Sequence, residues 1–349
     1  MPRIVLVTAP SLAPAGRAVL DAAGCDVRHV SDFSDTEGLH RILSSHPVEV
    51  VISRTMHLSA EMMDACPTLR VISKHGTGTS NIDMDAASER GIAVFSTPGA
   101  NARAVAEFPI GAMIAAMRRV ARFDRSVRAG EWVRSGDGAE LSGRTLGLVG
   151  FGRIARQVAV VAQALGMRVL AYDPMIDPSI ATLEGVLLVH DLDVLVQQSD
   201  VLSLHCPAVR GAPPILDARR LALLPSGAVV VNTARGELVD EGALAEALAA
   251  GHLSAAALDT FAQEPLADGP LRRSPNAVLT PHIGGSTPEA LAEMAAQAAR
   301  NAVAYLDALE ADVPLAGEVA ALCLNRTVLG GRIAHPHGCL LYTSPSPRD

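Results

Sequence analysis

Short apolar runs rich in β-branched residues alternate with helical patterns along almost the whole chain, and this alternation constrains the fold most strongly. The runs with strand character are Ile4–Val7, Val27–Val30, Val48–Ile52, Val71–Ser73, Ala93–Phe95, Thr145–Val149, Arg168–Tyr172, Val201–Leu204, Ala228–Asn232, Ala255–Leu258 and Ala277–Leu279. Strands that alternate with helices are typical of parallel β-sheets covered by helices on their faces. The sequence therefore predicts an α/β fold, and its 349 residues are enough for two such domains.

Helical patterns fill several of the intervals between these runs. The predicted helices are Ala15–Ala23, Met84–Arg90, Ala102–Arg128, Ile154–Leu165, Asp191–Gln198, Glu241–Ala250 and Pro288–Leu309. The stretch from Ala102 to Arg128 is interpreted as one long helix. Ser286 and Thr287, directly before the last helix, are good N-capping residues.

The composition excludes several classes of function. A formal net charge of −8 argues against nucleic acid as the main partner, because a phosphate backbone is bound by clustered Lys and Arg. The longest apolar run, Pro109–Met117, ends at Arg118 and is shorter than the ~20 residues that span a membrane. The five cysteines show no metal-ligand spacing. We therefore expect a cytoplasmic protein that handles small molecules, without a disulfide framework, a metal site or a membrane span.

A glycine-rich turn lies between the strand Thr145–Val149 and the helix that follows it. Gly150 allows a tight turn, Gly152 allows the backbone to approach a pyrophosphate, and Ala155 is small enough for close packing of helix on strand. The start of the helix offers free N–H groups and the positive end of the helix dipole to phosphates. Strand, turn and helix together predict a dinucleotide-binding domain, although Ala155 replaces the third glycine of the usual pattern.

An acidic residue at the end of the next strand favours one dinucleotide over the other. Asp173 follows Gly152 by 21 residues (173 − 152), close to the ~20 expected for the acid that binds the ribose 2′-hydroxyl. The residues from Pro174 to Pro178 contain no Lys or Arg that could bind a 2′-phosphate. The predicted cofactor is therefore NAD.

Three later segments carry a resemblance to a known family. They are Asn232 to Gly236 (NTARG), Leu258 to Pro265 (LDTFAQEP) and Thr280 to Gly285 (TPHIGG). With the glycine turn, they make the chain resemble the D-isomer-specific 2-hydroxyacid dehydrogenase family, which includes phosphoglycerate dehydrogenase and hydroxypyruvate/glyoxylate reductases. The resemblance runs from the first strand to about Pro314. It implies an NAD-dependent enzyme that interconverts a small D-2-hydroxy acid and its 2-oxo acid.

The resemblance also implies two doubly wound parallel-sheet domains. A Rossmann NAD-binding domain of residues 101–285 is expected to be inserted into a flavodoxin-like substrate domain formed by residues 1–100 and 286–320. Residues 321–349 are expected to be a poorly defined tail, and residues 339–349 resemble the translation of a sequencing adapter. A homodimer formed through the long helix after Asn101 is a further expectation.

The catalytic residues that the resemblance implies are Arg235, Glu264 and His282. Reduction of a 2-oxo acid needs a hydride and a proton, and an imidazole near neutral pH is suited to supply the proton. Glu264 would bind the other ring nitrogen and fix the tautomer of the imidazole. Arg235 would hold the carboxylate and polarise the carbonyl through its planar donor group.

The same resemblance implies contacts to cofactor and substrate. The cofactor-binding candidates are Gly150, Gly152, Arg153, Ile154, Asp173, Cys206, Pro207, Thr233, Ala234, Asp259, Gly284 and Gly285. Among these, Asp259 is expected to reach the nicotinamide carboxamide. The substrate-binding candidates are Arg54, Gly76, Thr77, Gly78 and Asn101. The glycines at 76 and 78 would expose backbone N–H groups to a carboxylate.

The sequence leaves two other functions open. The first is an NAD(H)-sensing binding protein, like the transcriptional corepressors that share this fold, which the presence of Arg235, Glu264 and His282 does not exclude. The second is formate dehydrogenase, which characteristically pairs its histidine with glutamine, so Glu264 argues against it. Phe108 stands where relatives often carry histidine, and this difference argues against assigning the substrate of any particular relative to this chain.

Overall fold

The structure of this chain, a computed structural model, describes residues 2–177, 185–209 and 211–330. It divides into two compact units, unit 1 with Met1–Asn101 and Pro288–Asp349, and unit 2 with Ala102–Thr287. Each unit is built on its own parallel β-sheet, so the predicted α/β class is confirmed. Within the described ranges, no helix has both the length and the apolar character needed to cross a membrane.

Unit 1 contains a five-stranded sheet with the order β2-β1-β3-β4-β5. Its strands are β1 (Ile4–Val7), β2 (Asp26–His29), β3 (Val48–Ser53), β4 (Val71–Lys74) and β5 (Ala93–Phe95). All neighbouring strands are parallel. Residues along β1 alternate between the two faces: Val5 and Val7 pack in one apolar cluster and Leu6 packs in another. Both faces of the sheet are therefore buried, which explains why its strands are continuous apolar runs.

Helices cover both faces of this sheet. The helices of unit 1 are α1 (Pro14–Ala22), α2 (Thr36–Ser45), α3 (Ala60–Asp64), α4 (Met84–Glu89), α12 (Pro288–Glu310) and α13 (Gly317–Ala320). The long helix α12 packs closely on α1, as the position of Gly16 shows: a Cβ atom there would lie only 2.7 Å from Ala295. Small residues at this crossing allow the two backbones to approach each other.

The segment after α13 differs from the expectation of a poorly defined tail beginning at residue 321. Cys323 forms an antiparallel bridge with Phe95 on the edge of β5. Asn325 is buried, its Oδ1 accepts from Val94 N at 2.9 Å, and its Nδ2 donates to Ile92 O at 2.9 Å. A 3-10 turn follows at Arg326–Leu329. These bonds to the sheet edge order residues 321–330, while residues 331–349, including the suspected adapter segment, lie outside the described residues.

Unit 2 contains a seven-stranded parallel sheet with the order β12-β11-β10-β9-β6-β7-β8. Its strands are β6 (Thr145–Val149), β7 (Arg168–Tyr172), β8 (Leu187–Leu188), β9 (Val201–Leu204), β10 (Val229–Asn232), β11 (Ala255–Leu258) and β12 (Ala277–Leu279). The chain runs outward from β6 in one direction to β7 and β8 and then returns to β9 on the other side. This reversal of strand order is where doubly wound sheets bind their ligands, at the carboxyl ends of the strands.

One predicted helix of unit 2 is wrong in its length. The helices are α5 (Ala102–Met117), α6 (Val120–Arg128), α7 (Arg153–Ala164), α8 (Leu192–Gln197), α9 (Ala218–Leu223), α10 (Glu241–Ala249) and α11 (Pro270–Arg273). The expected single helix from Ala102 to Arg128 is therefore two helices. Arg119 interrupts it with a left-handed φ of 57°, and its guanidinium donates to Ser254 O. A tertiary contact at the break thus outweighs the helix propensity of the arginines around it.

Candidate active site

The glycine turn after β6 is shaped by one close backbone contact. Gly150 has a φ of 88°, and a Cβ atom there would lie 2.9 Å from the backbone carbon of His205. Both the backbone conformation and the lack of space therefore require glycine. Gly150 N donates to Tyr172 O at 2.8 Å, which holds the turn between β7 and β9.

The start of α7 is open for an anion. Gly152 is the N-cap residue of α7, and no side chain caps the helix there. Among the described residues, a Cβ atom at Gly152 would meet no atom within 4 Å. The start of α7 thus combines N–H groups that no side chain of these residues caps with open space beside Gly152, a combination suited to phosphate binding. Behind them, Ala155 is buried in the core of the unit, as the sequence predicted.

Asp173 lies at the end of β7 beside the same turn. Its Oδ2 accepts from Phe151 N at 2.8 Å and its Oδ1 accepts from Met175 N at 2.9 Å. These two bonds fix the carboxylate next to the glycine turn and leave a lone pair on each oxygen. A ribose hydroxyl can donate to such an oxygen.

A cavity of about 380 Å³ lies next to the carboxyl ends of β10, β11 and β12. Its walls include Phe108, Thr233, Asp259, Thr280 and Gly284, all of unit 2. The hydroxyl of Thr233 is buried and has no hydrogen-bond partner among the described residues. A buried hydroxyl without a partner is costly, so a ligand that bonds to it would remove that cost. The open helix start, the carboxylate of Asp173 and this hydroxyl together fit a bound dinucleotide.

Glu264 and His282 meet through their side chains. His282 Nδ1 donates to Glu264 Oε2 at 2.9 Å and lies 3.1 Å from Oε1. Glu264 Oε1 also accepts from Phe261 N at 3.1 Å. The imidazole is half exposed, so its Nε2 atom is the ring nitrogen left for a ligand. The pair therefore has the geometry of a histidine oriented by a carboxylate.

The loop that carries His282 folds around a buried carboxylate. Asp259, at the end of β11, is 1% exposed. Its Oδ1 accepts from Thr280 Oγ1 at 2.6 Å and from Ile283 N at 2.9 Å, and its Oδ2 accepts from Gly284 N at 2.7 Å. Between these contacts, His282 has a left-handed φ of 55°. Asp259 thus organises the loop in addition to lining the cavity.

Arg235 follows β10 in a tightly packed turn. Asn232, buried at the end of β10, donates its Nδ2 to Arg235 O at 2.7 Å and accepts from Ala234 N at 3.0 Å. A Cβ atom at Gly236 would lie 1.8 Å from the backbone of Phe261, so only glycine fits there. This packing joins the Arg235 turn to the segment that leads to Glu264. The guanidinium donates through Nη1 to Ala234 O at 2.6 Å, and its other N–H groups, which bond to none of the described residues, can bind a ligand.

In unit 1, the loop after β4 has the expected glycine geometry with one correction. Gly76 has a φ of 125°. Its N–H already donates to Thr97 Oγ1 at 2.9 Å, so it is not the open donor that the sequence suggested. The N–H groups of Thr77 and Gly78 donate to none of the residues that the structure describes. Of the three candidates at 76, 77 and 78, the last two therefore keep an N–H group that can bind a ligand.

Arg54, after β3, presents a partly buried cation. Burial lowers the pKa of its guanidinium. Its Cζ lies 5.7 Å from the centre of the Phe33 ring, a cation–π arrangement. Asn101 ends unit 1, directly before α5.

The remaining predicted cofactor contacts lie around the unit 2 sheet. Arg153 and Ile154 begin α7, Cys206 and Pro207 follow β9, and Gly285 follows the loop that Asp259 organises. Burial raises the pKa of the Cys206 thiol, which keeps it protonated. Among the described residues, no three His, Cys, Asp or Glu side chains are grouped so that they could hold a metal ion.

Sequence reasoning missed several residues that shape these sites. They are Phe33, Thr97, Asn232 and Thr280. Asn232 and Thr280 each begin a segment that carried the family resemblance, so their position beside Arg235 and His282 was the available signal. Thr97 offered only its place after a strand, and Phe33 offered no signal.

Comparison with known proteins identifies the type of domain in unit 2. Residues 110–284 match the family described as D-isomer specific 2-hydroxyacid dehydrogenase, NAD binding domain. The chain is 41% identical to the hydroxypyruvate reductase of Thermotoga maritima, over 74% of this chain and 85% of that protein. It is 40% identical to the D-3-phosphoglycerate dehydrogenase of Methanocaldococcus jannaschii, over 82% of this chain.

A solved structure has the same fold as this chain, whereas the phosphoglycerate dehydrogenases that it matches are longer. The glyoxylate reductase of Paecilomyes thermophila superimposes with a TM-score of 0.77 at 31% identity, over 88% of this chain and 96% of that one. The match to the phosphoglycerate dehydrogenase of M. jannaschii covers only 54% of that protein. The chain thus spans about half the length of the phosphoglycerate dehydrogenases that it matches.

Proposed function

Because the chain belongs to the D-isomer specific 2-hydroxyacid dehydrogenase family, we propose that it is an NAD-dependent oxidoreductase. Its proposed reaction interconverts a small D-2-hydroxy acid and its 2-oxo acid. The observation that carries this proposal is the hydrogen-bonded pair of His282 and Glu264, which lies in the same unit as the open dinucleotide turn. An oxidoreductase needs both features, the turn to bind the dinucleotide and the oriented histidine to transfer a proton, and a turnover assay separates it from a corepressor-like protein that carries the same residues.

The cofactor is proposed to be held by the residues around the ends of the unit 2 strands. The open N–H groups at Gly152 and the start of α7 would hold the pyrophosphate, and Asp173 would accept from the ribose. Thr233 and Asp259, which line the cavity, would hold the nicotinamide end. When bound, NADH supplies the hydride that reduces the carbonyl carbon.

His282 is proposed to transfer the proton of the reaction. Glu264 accepts from Nδ1 at 2.9 Å, so Nε2 is the atom that exchanges a proton with the substrate oxygen. In the direction of reduction, Nε2 donates its proton to the carbonyl oxygen. In the direction of oxidation, Nε2 takes the proton from the hydroxyl group. The Phe261 N–H that also donates to Glu264 keeps the carboxylate in position.

The substrate carboxylate and carbonyl are proposed to be bound by cationic and backbone donors. Arg235 has donors left after its bond to Ala234 O, and its planar group fits a carboxylate or the polarised carbonyl oxygen. In unit 1, the N–H groups of Thr77 and Gly78 are the proposed carboxylate donors, and Arg54 is a proposed cationic contact. The proposed substrate class is the small 2-oxo acids and their D-2-hydroxy acids.

A kinetic panel tests the proposal. Glyoxylate, hydroxypyruvate and a phosphorylated 2-oxo acid are each offered with NADH and with NADPH, and cofactor oxidation is followed by its absorbance. We expect NADH oxidation with at least one of these acids. NADH binding without turnover across a broad 2-oxo-acid panel, together with capture of a protein partner, would support the corepressor-like alternative. Oxidation of formate by NAD would support a formate dehydrogenase.

The sequence-based expectations of a homodimer and a cytoplasmic location belong to the same proposal. The first is tested by light scattering on the purified chain. The second is tested by fractionation of cells that express it.

A further inference from the structure

Thr97 lies directly beyond β5 and binds the backbone of the loop beyond β4. Its side chain is fully buried. Thr97 Oγ1 accepts from Gly76 N at 2.9 Å and lies 3.2 Å from Gly76 O, and Thr97 N donates to the same carbonyl at 3.0 Å. One threonine therefore satisfies both backbone groups of Gly76.

The backbone of Gly76 has an unusual conformation that its hydrogen bonds to Thr97 help to hold. Gly76 has a φ of 125°, which side-chain-bearing residues rarely adopt. Among the described residues, a Cβ atom there would meet only Met294 Sδ, at 3.9 Å, so it is the backbone conformation and not a clash at the Cβ position that favours glycine. The bonds of Gly76 N and Gly76 O to Thr97 stabilise this conformation.

Two neighbouring residues anchor the base of the loop. His75 Nε2 lies 3.2 Å from Leu291 O in the first turn of α12. Lys74 Nζ donates to Asn81 Oδ1 at 2.6 Å and to Arg54 O. These bonds fix Lys74 and His75, but they do not reach Gly76. Thr97 is thus the polar side chain that binds the residue directly before Thr77 and Gly78.

We propose that Thr97 is a positioning residue for substrate binding. By holding Gly76, it directs the N–H groups of Thr77 and Gly78 toward a substrate carboxylate without touching the substrate itself. This inference rests on the proposed function, since it concerns the carboxylate of the same 2-oxo acids. It predicts an effect on substrate affinity that is separate from cofactor affinity.

The test compares Thr97→Val, which removes the hydroxyl at nearly constant volume, with Thr97→Ser, which keeps it. Thr97→Val leaves Gly76 N without its acceptor, so we expect the KM for the 2-oxo acid to rise about five- to tenfold. The value of kcat should change less, and the Kd for NADH should stay as in the wild type. Thr97→Ser should restore most of the substrate affinity.

A matched control removes a threonine hydroxyl from another part of unit 1. Thr68 Oγ1 donates to Val48 O at 3.0 Å in the segment that leads to β4, so Thr68→Val also removes a bond between a threonine hydroxyl and the backbone, although here the hydroxyl donates. We expect this variant to keep the wild-type KM. A KM that is unchanged in Thr97→Val, or raised equally in Thr97→Val and Thr68→Val, would overturn the proposal, and so would a Thr97→Ser variant as impaired as Thr97→Val.

Hydrogen exchange provides a second readout that does not depend on turnover. The Gly76 amide should be protected in the wild type and in Thr97→Ser, and should lose protection in Thr97→Val. Unchanged protection in Thr97→Val would overturn the proposed role, even if no 2-oxo acid were turned over. Loss of protection in a chain whose wild type turns over none of the acids would instead contradict the proposed function, while the Thr97–Gly76 bond would stand.

Discussion

His282 and Glu264 lie on loops that follow two adjacent parallel strands, β12 and β11, and their side chains are joined at 2.9 Å between Nδ1 and Oε2. The carboxylate is held in turn by Phe261 N, and the histidine loop is held by Asp259. The imidazole is therefore fixed from two sides. Its remaining nitrogen is the group on which the proposed proton transfer depends.

Replacement of Glu264 by Gln should impair catalysis more than binding. The amide keeps one oxygen that can accept from His282 or Phe261, but it removes the charge beside the imidazole. We expect kcat to fall by about ten- to a hundredfold, while the Kd for NADH stays the same. Steady-state kinetics and a fluorescence titration with NADH measure the two quantities. The control is Glu237→Gln, which removes the same negative charge from an exposed side chain and should leave both values unchanged.

Gly236→Ala should damage both stability and activity. The added Cβ would lie 1.8 Å from the Phe261 backbone, so the Arg235 turn or the Glu264 segment has to move. We expect the free energy of unfolding to fall by about 1–3 kcal/mol or more, and kcat/KM to fall strongly. Gly242→Ala, in α10, is the matched control, since its Cβ would meet only Asp240 Oδ1 at 3.4 Å. Urea unfolding of both variants decides the point, and equal stabilities would contradict the packing argument.

Asp173→Asn should weaken the preference for NADH over NADPH. A carboxylate beside the ribose repels a 2′-phosphate, and the amide removes that repulsion while one oxygen still accepts a backbone N–H. We expect the ratio of kcat/KM for NADH to that for NADPH to fall by about tenfold.

Asp200→Asn is the control for this ratio. Asp200 also accepts a backbone N–H, from Thr145 at 2.8 Å, but at the opposite end of β6. If both variants shifted the ratio equally, Asp173 would not be the residue that selects the cofactor.

His75 should make the stability of the chain depend on pH. Burial, with smaller contributions from the cations of Arg54 and Lys74, lowers the pKa of His75 to about 4 from an ordinary value of 6.5. Between these values the folded state binds fewer protons than the unfolded state, so the free energy of unfolding falls as the pH is lowered through this window. The loss can reach about 3 kcal/mol.

His75→Gln tests this dependence, because an amide can donate to Leu291 O but does not titrate. Urea unfolding is measured for both proteins at pH 8, 5.5 and 4.5. The wild type should lose more stability than the variant between the highest and the lowest pH. Parallel losses would show that the protonation of His75 does not destabilise the fold.

Much of the fold followed from local patterns. All eleven predicted strands are present with bounds within one residue of the prediction, because buried parallel strands are continuous apolar runs. The break at Arg119 could not be predicted, since arginine favours helices and the contact of its guanidinium with Ser254 O joins residues far apart in the sequence. The strand Leu187–Leu188 is only two residues long, which is too short for an apolar run to be recognised in the sequence.

The candidate site was predictable where its signal was local. Gly150, Gly152 and Asp173 lie within one β–α–β unit, so their spacing and the strand and helix around them indicate a dinucleotide turn. His282 and Glu264 are separated by 18 residues, and only the family resemblance connected them with each other and with Arg235. The bonds of Thr97 to Gly76 and of Asp259 to the histidine loop join residues more than 20 positions apart, and no sequence pattern encodes them.

The most direct test of the proposed chemistry compares the wild type with His282→Gln in single-turnover oxidation of NADH by a 2-oxo acid. We expect both proteins to bind NADH with the same Kd, and the rate of NADH oxidation to fall by more than about a hundredfold in the variant. A variant that oxidised NADH at the wild-type rate would contradict the assignment of His282 as the proton donor. If the wild type bound NADH but did not oxidise it with any of the 2-oxo acids, the proposed function itself would be contradicted.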